Sequence, residues 1–272
     1  TTTAGTSNFR AGVNAGNSIT SGGNYNVTVG DEAGTAITTG DNNTAFGYTA
    51  LATVSTAGDN TAVGQAALRD NTSGESNTAV GKSALITNTV ANRNVAVGRN
   101  SLESVNQASA LNTYNVAMGY NSGAAVTTGF ENTLIGGFAG GALTDADYNL
   151  AVGYQALAND TLGSRSTAIG RSALQNQNFT GATNTYNTAV GFNAGLSMTT
   201  GINNTIVGGL AGDTLTEGDR NVAIGVQALT ADTKGNNNIA IGDAALRTQN
   251  FTSSTDAYNV AVGHNAGLAV TT

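Results

Sequence analysis

The chain has 272 residues, of which 37 are glycine and 10% are charged, with no proline, cysteine or tryptophan and a net charge of −7. So little charge excludes a solvating disordered chain, and glycine without a strict every-third spacing excludes collagen. Scattered single cations exclude a nucleic-acid stripe, the missing cysteines exclude disulfides, and no apolar run is long enough to read as a membrane span.

A five-residue stretch, typified by Asn60-Thr61-Ala62-Val63-Gly64, recurs along the chain. The glycines that close it are Gly12, Gly30, Gly47, Gly64, Gly81, Gly98, Gly119, Gly136, Gly153, Gly170, Gly191, Gly208, Gly225, Gly242 and Gly263. Ten of the fourteen intervals are 17 residues, three are 21 and the first is 18. A fixed short period predicts an all-β parallel solenoid of about 15 coils, a single repeat array over 1–272. The 21-residue units end near 119, 191 and 263, and residues 120–191 and 192–263 align as a 72-residue super-repeat. At the usual strand spacing such a stack is roughly 70 Å long. Thr1-Thr2-Thr3-Ala4-Gly5 resembles the mid-unit Thr199-Thr200-Gly201, and Val270-Thr271-Thr272 stops at the same phase without a polar cap. The expectation is a piece of a longer array, or one continued by other subunits.

Within the anchor Asn-x1-x2-x3-Gly, x3 is apolar in every unit and x1 is Thr, Val, Ile, Leu or Phe. Alternation puts x1 and x3 on one face of a short strand, and β-branched residues predict that this face is inward. Position x2 is alanine in eleven units, including Ala62, Ala79 and Ala168. That is expected either of a second surface lying close against it or of a narrow, flattened coil, and the former reading makes Ala62→Glu, Ala79→Glu and Ala168→Glu break chain association. Where x2 is Leu134 or Ile206, the residue after the anchor glycine is Gly137 or Gly209, which reads as volume compensation.

The fourth residue after the anchor is Leu or Gly; where it is Gly, an apolar residue follows three places on, as at Ile19, Ile37, Val126, Leu143, Met198, Leu215 and Val270. This predicts a second strand whose inward plug comes from either place. The anchor asparagine, Asn60 and Asn77 among them, is present in every unit but one, where Ser166 replaces it. It predicts an asparagine ladder between coils, with turns at the glycines three residues before it (Gly40, Gly74, Gly129, Gly201 and Gly235), and Gly64 and Gly81 are structural residues that close the anchor. The four-residue insertions of the long units predict projecting loops, and two of them match: Asn178-Phe179-Thr180 through Tyr186, and Asn250-Phe251-Thr252 through Tyr258.

Asn221-Val222-Ala223-Ile224-Gly225 and Asn259-Val260-Ala261-Val262-Gly263 resemble the head repeat of YadA-type trimeric autotransporter adhesins. Asn77-Thr78-Ala79-Val80-Gly81 through Ala84-Leu85 is still more similar to repeats of phage tail fibres. The resemblance covers almost the whole chain and implies a left-handed β-roll, three parallel chains side by side, and an extracellular, cell-surface or virion-fibre location. The unit here is longer than the adhesin repeat, and the chain holds no stalk or membrane-anchor barrel.

No chemistry stands out. His264 is the lone histidine, without the companions a transition-metal site needs. Asp145/Asp147 and Glu217/Asp219 read as solvated turn acids rather than a glycosidase or Ca²⁺ pair. The chain reads as no enzyme, with no cofactor. The expected function is a structural or adhesive fibre segment, a homotrimer or filament of identical chains that presents loops for attachment. The alternative is a receptor- or glycan-binding module with Phe179, Tyr186, Phe251 and Tyr258 as stacking platforms. Ice binding wants a regular Thr-x-Thr rank, and x1 switches between Thr and Val.

Overall fold

A computed structural model describes residues 5–272; Thr1 to Ala4, which the repeat phase places mid-unit, lie outside the described residues. The fold is an all-β parallel solenoid of about fifteen coils, in two compact units, Thr1–Asn132 and Thr133–Thr272. The first contains β1 (Phe9–Ala11), β2 (Val27–Val29), β3 (Thr44–Phe46), β4 (Thr61–Val63), β5 (Thr78–Val80), β6 (Val95–Val97) and β7 (Val116–Met118). Each pairs in parallel with the next, x1 on x1 and x3 on x3, as in Thr61↔Thr78 and Val63↔Val80.

The second unit repeats the scheme with β8 (Thr133–Ile135), β9 (Leu150–Val152), β10 (Gly163–Ser164), β11 (Thr167–Ile169), β12 (Thr183–Asn184), β13 (Thr188–Val190), β14 (Thr205–Val207), β15 (Val222–Ile224), β16 (Gly235–Asn236), β17 (Ile239–Ile241), β18 (Thr255–Asp256) and β19 (Val260–Val262). The two-residue strands pair β10 with β12 and β16 with β18, where the long coils insert their extra residues.

The anchors are strands, but their faces are the reverse of the expectation. Ala62, Ala79, Ala168 and the other x2 residues except the exposed Arg10 are buried inside their own coil, while x1 and x3 face outward and are half-exposed or exposed. The reason is volume. A coil of 17 residues is too narrow to take a large x2 side chain against the buried leucine that most units carry four residues after the anchor, such as Leu68, Leu85 or Leu174. Only a methyl group fits opposite.

Gly209 is therefore not what makes room for Ile206. A Cβ on Gly209 would meet nothing within 4 Å. One on Gly140 would come 2.7 Å from Leu134, and one on Gly212 would come 3.3 Å from Ile206. The space comes from the fourth residue after the anchor, the position that alternates between Leu and Gly.

Among the described residues the segment that carries the plug forms no second strand. That segment is a run of turns with left-handed corners two and four residues after the anchor glycine, for example Ala66 at φ 57 and Leu68 at φ 50. A leucine there gains core burial of about 1.5–3 kcal/mol against a backbone cost of about 1–2 kcal/mol. Glycine avoids the cost, and the core is then filled from three residues on, by Ile37, Val126, Leu143, Met198 or Leu215, all fully buried. The two-route plug stands, on turns instead of a strand.

The asparagine ladder is present in both units. Each anchor Oδ1 accepts the backbone N–H of the next anchor residue, as in Asn60 N–H to Asn43 Oδ1 at 3.1 Å and Asn77 N–H to Asn60 Oδ1 at 3.0 Å. Most anchor Nδ2 groups donate to a turn carbonyl of the following coil, Gly74 O for Asn60 at 2.9 Å, whereas Asn94 and Asn238 donate back to the preceding anchor Oδ1. At the break, Ser166 N–H still reaches Asn149 Oδ1, and Gln177 bridges the gap by donating to Ser166 Oγ and accepting from Asn187 Nδ2.

Candidate functional site

With x1 and x3 outward, each unit presents one flat rank of Thr and Val beside a second of Val and Ile. Larger side chains interrupt it: Phe46 is 53% exposed and Met118 is 43%. Two columns flank these ranks, one formed by the residue before each anchor asparagine and one by the residue after each anchor glycine. All eight tyrosines of the chain stand in these columns: Tyr25, Tyr114, Tyr148, Tyr186 and Tyr258 in the first, Tyr48, Tyr120 and Tyr154 in the second. The cations Lys82, Arg93, Arg99, Arg165, Arg171 and Arg220 stand there too. First-column residues sit at left-handed corners, as with Arg165 at φ 67 and Tyr186 at φ 50.

The columns are bound along the stack by cation–π contacts. Arg93 lies 5.6 Å from the Tyr114 ring centre and donates to its hydroxyl at 2.6 Å, and Arg99 lies 5.8 Å from Tyr120. In the second unit both arginines of one coil are sandwiched. Arg165 lies between Tyr148 (5.0 Å) and Tyr186 (5.8 Å), and Arg171 between Tyr154 (5.9 Å) and Phe192 (5.6 Å). Tyr154 also meets Phe138 edge to face at 6.1 Å. Half-exposed contacts of this kind contribute about 0.5–1 kcal/mol each.

The residues expected in the binding loops fall into two groups. Tyr186 and Tyr258 are exposed, as are Asn178, Thr180, Asn250 and Thr252. Phe179, however, is only 7% exposed and Phe251 is half-buried, so neither ring is a free platform. Their backbone N–H groups donate at 3.0 Å to Asp160 and Asp232, buried carboxylates that also accept from Gln177 and Gln249. Asn178 and Asn250 accept from Thr161 and Thr233 at 3.1 Å, continuing a threonine ladder. The insertions thus fold back onto the coil. Among the expected structural residues, Asn60 and Asn77 are ladder members, Ala62 and Ala79 line the core, and Gly64 and Gly81 sit at φ 136 and 133 against the next coil's backbone.

Two of the acids considered for chemistry, Glu217 and Asp219, are engaged elsewhere. Glu217 pairs with Lys234 at 2.9 Å, and Asp219 accepts the Ile202 N–H at 2.8 Å. His264 is exposed, 3.7 Å from Asp243. Burial pushes the Asp213 carboxyl above the usual carboxylate range, with backbone N–H groups opposing the shift. Among the described residues no cluster of three or more His, Cys, Asp or Glu is placed to hold a metal ion, and no helix is long and apolar enough to cross a membrane. Sequence reasoning missed the two columns because it sent x1 and x3 inward. The signal was available: all tyrosines fall immediately outside the anchor, on either side.

Compared with known proteins, the chain matches no family model, no curated protein and no solved structure.

Proposed function

We propose that this chain is a structural, self-associating segment of an extracellular fibre, in which copies pack side by side through the outward face of the anchor strands. The observation that carries the reading is that face itself. β-branched and apolar residues stay half-exposed or exposed at x1 and x3, in ranks flanked by every tyrosine of the chain. Monomeric proteins rarely leave a contiguous apolar surface of this kind to water, and Tyr and Arg are the residues that enrich interfaces. The resemblance to adhesin and tail-fibre repeats supports three parallel copies and a place on a cell surface or virion. The face assigned to the partner differs from the one first expected, because the x2 alanines are spent inside the coil.

Sedimentation equilibrium of residues 1–272 tests this. Three chains per particle are expected; a single chain across the accessible concentration range overturns the reading.

A further inference from the structure

We propose that the column Tyr148–Arg165–Tyr186 is a binding site for a carboxylated glycan, a chain of sugars bearing uronate groups. The proposal goes beyond the packing role above, does not rest on it, and needs no particular number of chains.

Arg165 differs from the other column arginines in how it is held. Its guanidinium lies between two tyrosine rings, at 5.0 and 5.8 Å. Its Nε–H donates to Asn184 Oδ1 at 2.9 Å, and Asn184 belongs to β12, a strand that the four-residue insertion supplies. Among the described residues the two terminal nitrogens have no hydrogen-bond acceptor and no carboxylate lies within salt-bridge distance of Arg165. In a chain of net charge −7, an exposed guanidinium left without an acid is a place for an external anion. Arg93 is not equivalent, since its Nη1 is used by Tyr114 Oη. One super-repeat further on, Asn237 and Asp256 replace Arg165 and Asn184 and bond to each other at 2.9 Å.

The ligand class follows from shape and charge. A guanidinium with its Nε tied down offers a planar fork that matches a carboxylate in two parallel hydrogen bonds. Tyr148 (42% exposed) and Tyr186 (53% exposed) present aromatic surface one coil to either side. Two strand spacings separate them, roughly 10 Å, a span suited to two linked hexoses. Sugar rings pack on the tyrosines while a uronate carboxylate sits on the arginine between them.

The test is calorimetric titration of the whole chain with oligogalacturonate and with the carboxyl-reduced oligomer of the same length. Arg165→Gln, Arg165→Lys and Tyr186→Ala are titrated alongside, with thermal melts to check folding. Binding of the acidic oligomer is expected, at least tenfold weaker for the reduced one. Arg165→Gln should lose tenfold or more, and Arg165→Lys most of that, because a point charge supplies no fork. Equal binding of both oligomers, or an unchanged Arg165→Gln, overturns the site. A sulfated oligosaccharide that binds as tightly overturns the carboxylate assignment. No glycan binding together with a lower particle mass for Arg165→Gln overturns the site in favour of a chain–chain contact. Sedimentation of the same samples separates the two readings. A monomer that binds the glycan leaves this site standing without the packed fibre, and an associated chain that binds none does the reverse.

Discussion

Gly208 and Gly209 are neighbours with opposite roles. Gly208 has φ 138, and a Cβ there would lie 2.4 Å from the carbonyl oxygen of Gly225 in the next coil. Gly209 has open space and no positive φ. Gly208→Ala should therefore cost about 1–3 kcal/mol, from a disfavoured backbone region and displacement of the next coil. Gly209→Ala should fall within about 0.5 kcal/mol of the parent. Urea unfolding of the two variants measures the difference, and equal costs would refute the account of the glycine column. Asp160 makes a second prediction. Its Oδ1 takes the Gly163 and Phe179 N–H groups, and its Oδ2 takes Gln177 Nε2. Asp160→Asn turns the second oxygen into a donor facing another donor, an unsatisfied buried contact of about 1–3 kcal/mol. Asn88, one super-repeat earlier, tolerates the amide because its Nδ2 has Asn71 Oδ1 and Ala91 O as acceptors.

At the scale of one coil, the x2 residue and the fourth residue after the anchor share a single space. Every unit with Leu at the latter has Ala at x2, from Ala45 with Leu51 to Ala240 with Leu246; the larger Thr28, Leu134 and Ile206 occur only with Gly34, Gly140 and Gly212. Ala79→Leu alone should cost about 1–3 kcal/mol by overpacking. Leu85→Gly alone should be destabilising as well, since it empties the core at a fully buried site. Combined, the two should cost less than their sum, and a double-mutant cycle by urea unfolding reads the coupling. Additive costs would mean that the positions do not compete. This pairing also marks what the sequence made legible. The coil period, the anchor strands, the ladder and the plug all follow from spacing and side-chain type. The direction of the strand does not, because alternation separates two faces without saying which is inside, and apolar character alone is a one-way guide. The coupled choice at x2 and its opposite wall carried the answer. Phe179 misled for a related reason: an aromatic residue in an insertion suggests a platform, whereas here the insertion's backbone must satisfy Asp160 and draws the ring inward.

For the whole molecule the inside and outside of the coil predict different failures for the same charge. Ala62→Glu puts a carboxylate into a fully buried position with no partner, so the coil should unfold, and loss of association would follow from loss of fold. Met118 and Ile135 stand at x3, 43% and 37% exposed, each in its own unit. Met118→Asp and Ile135→Asp leave the interior untouched, so β-sheet circular dichroism and the thermal midpoint of the isolated chain should stay close to the parent's. If copies pack through the outward ranks, each substitution buries a charge between chains, and the particle mass should fall to one chain. The x2 and x3 variants thus separate folding from assembly, which the first reading of the alanines joined. An unchanged mass in both x3 variants, with folding intact, would remove the outward ranks as the contact and leave the flanking Tyr and Arg columns as the surface to test next.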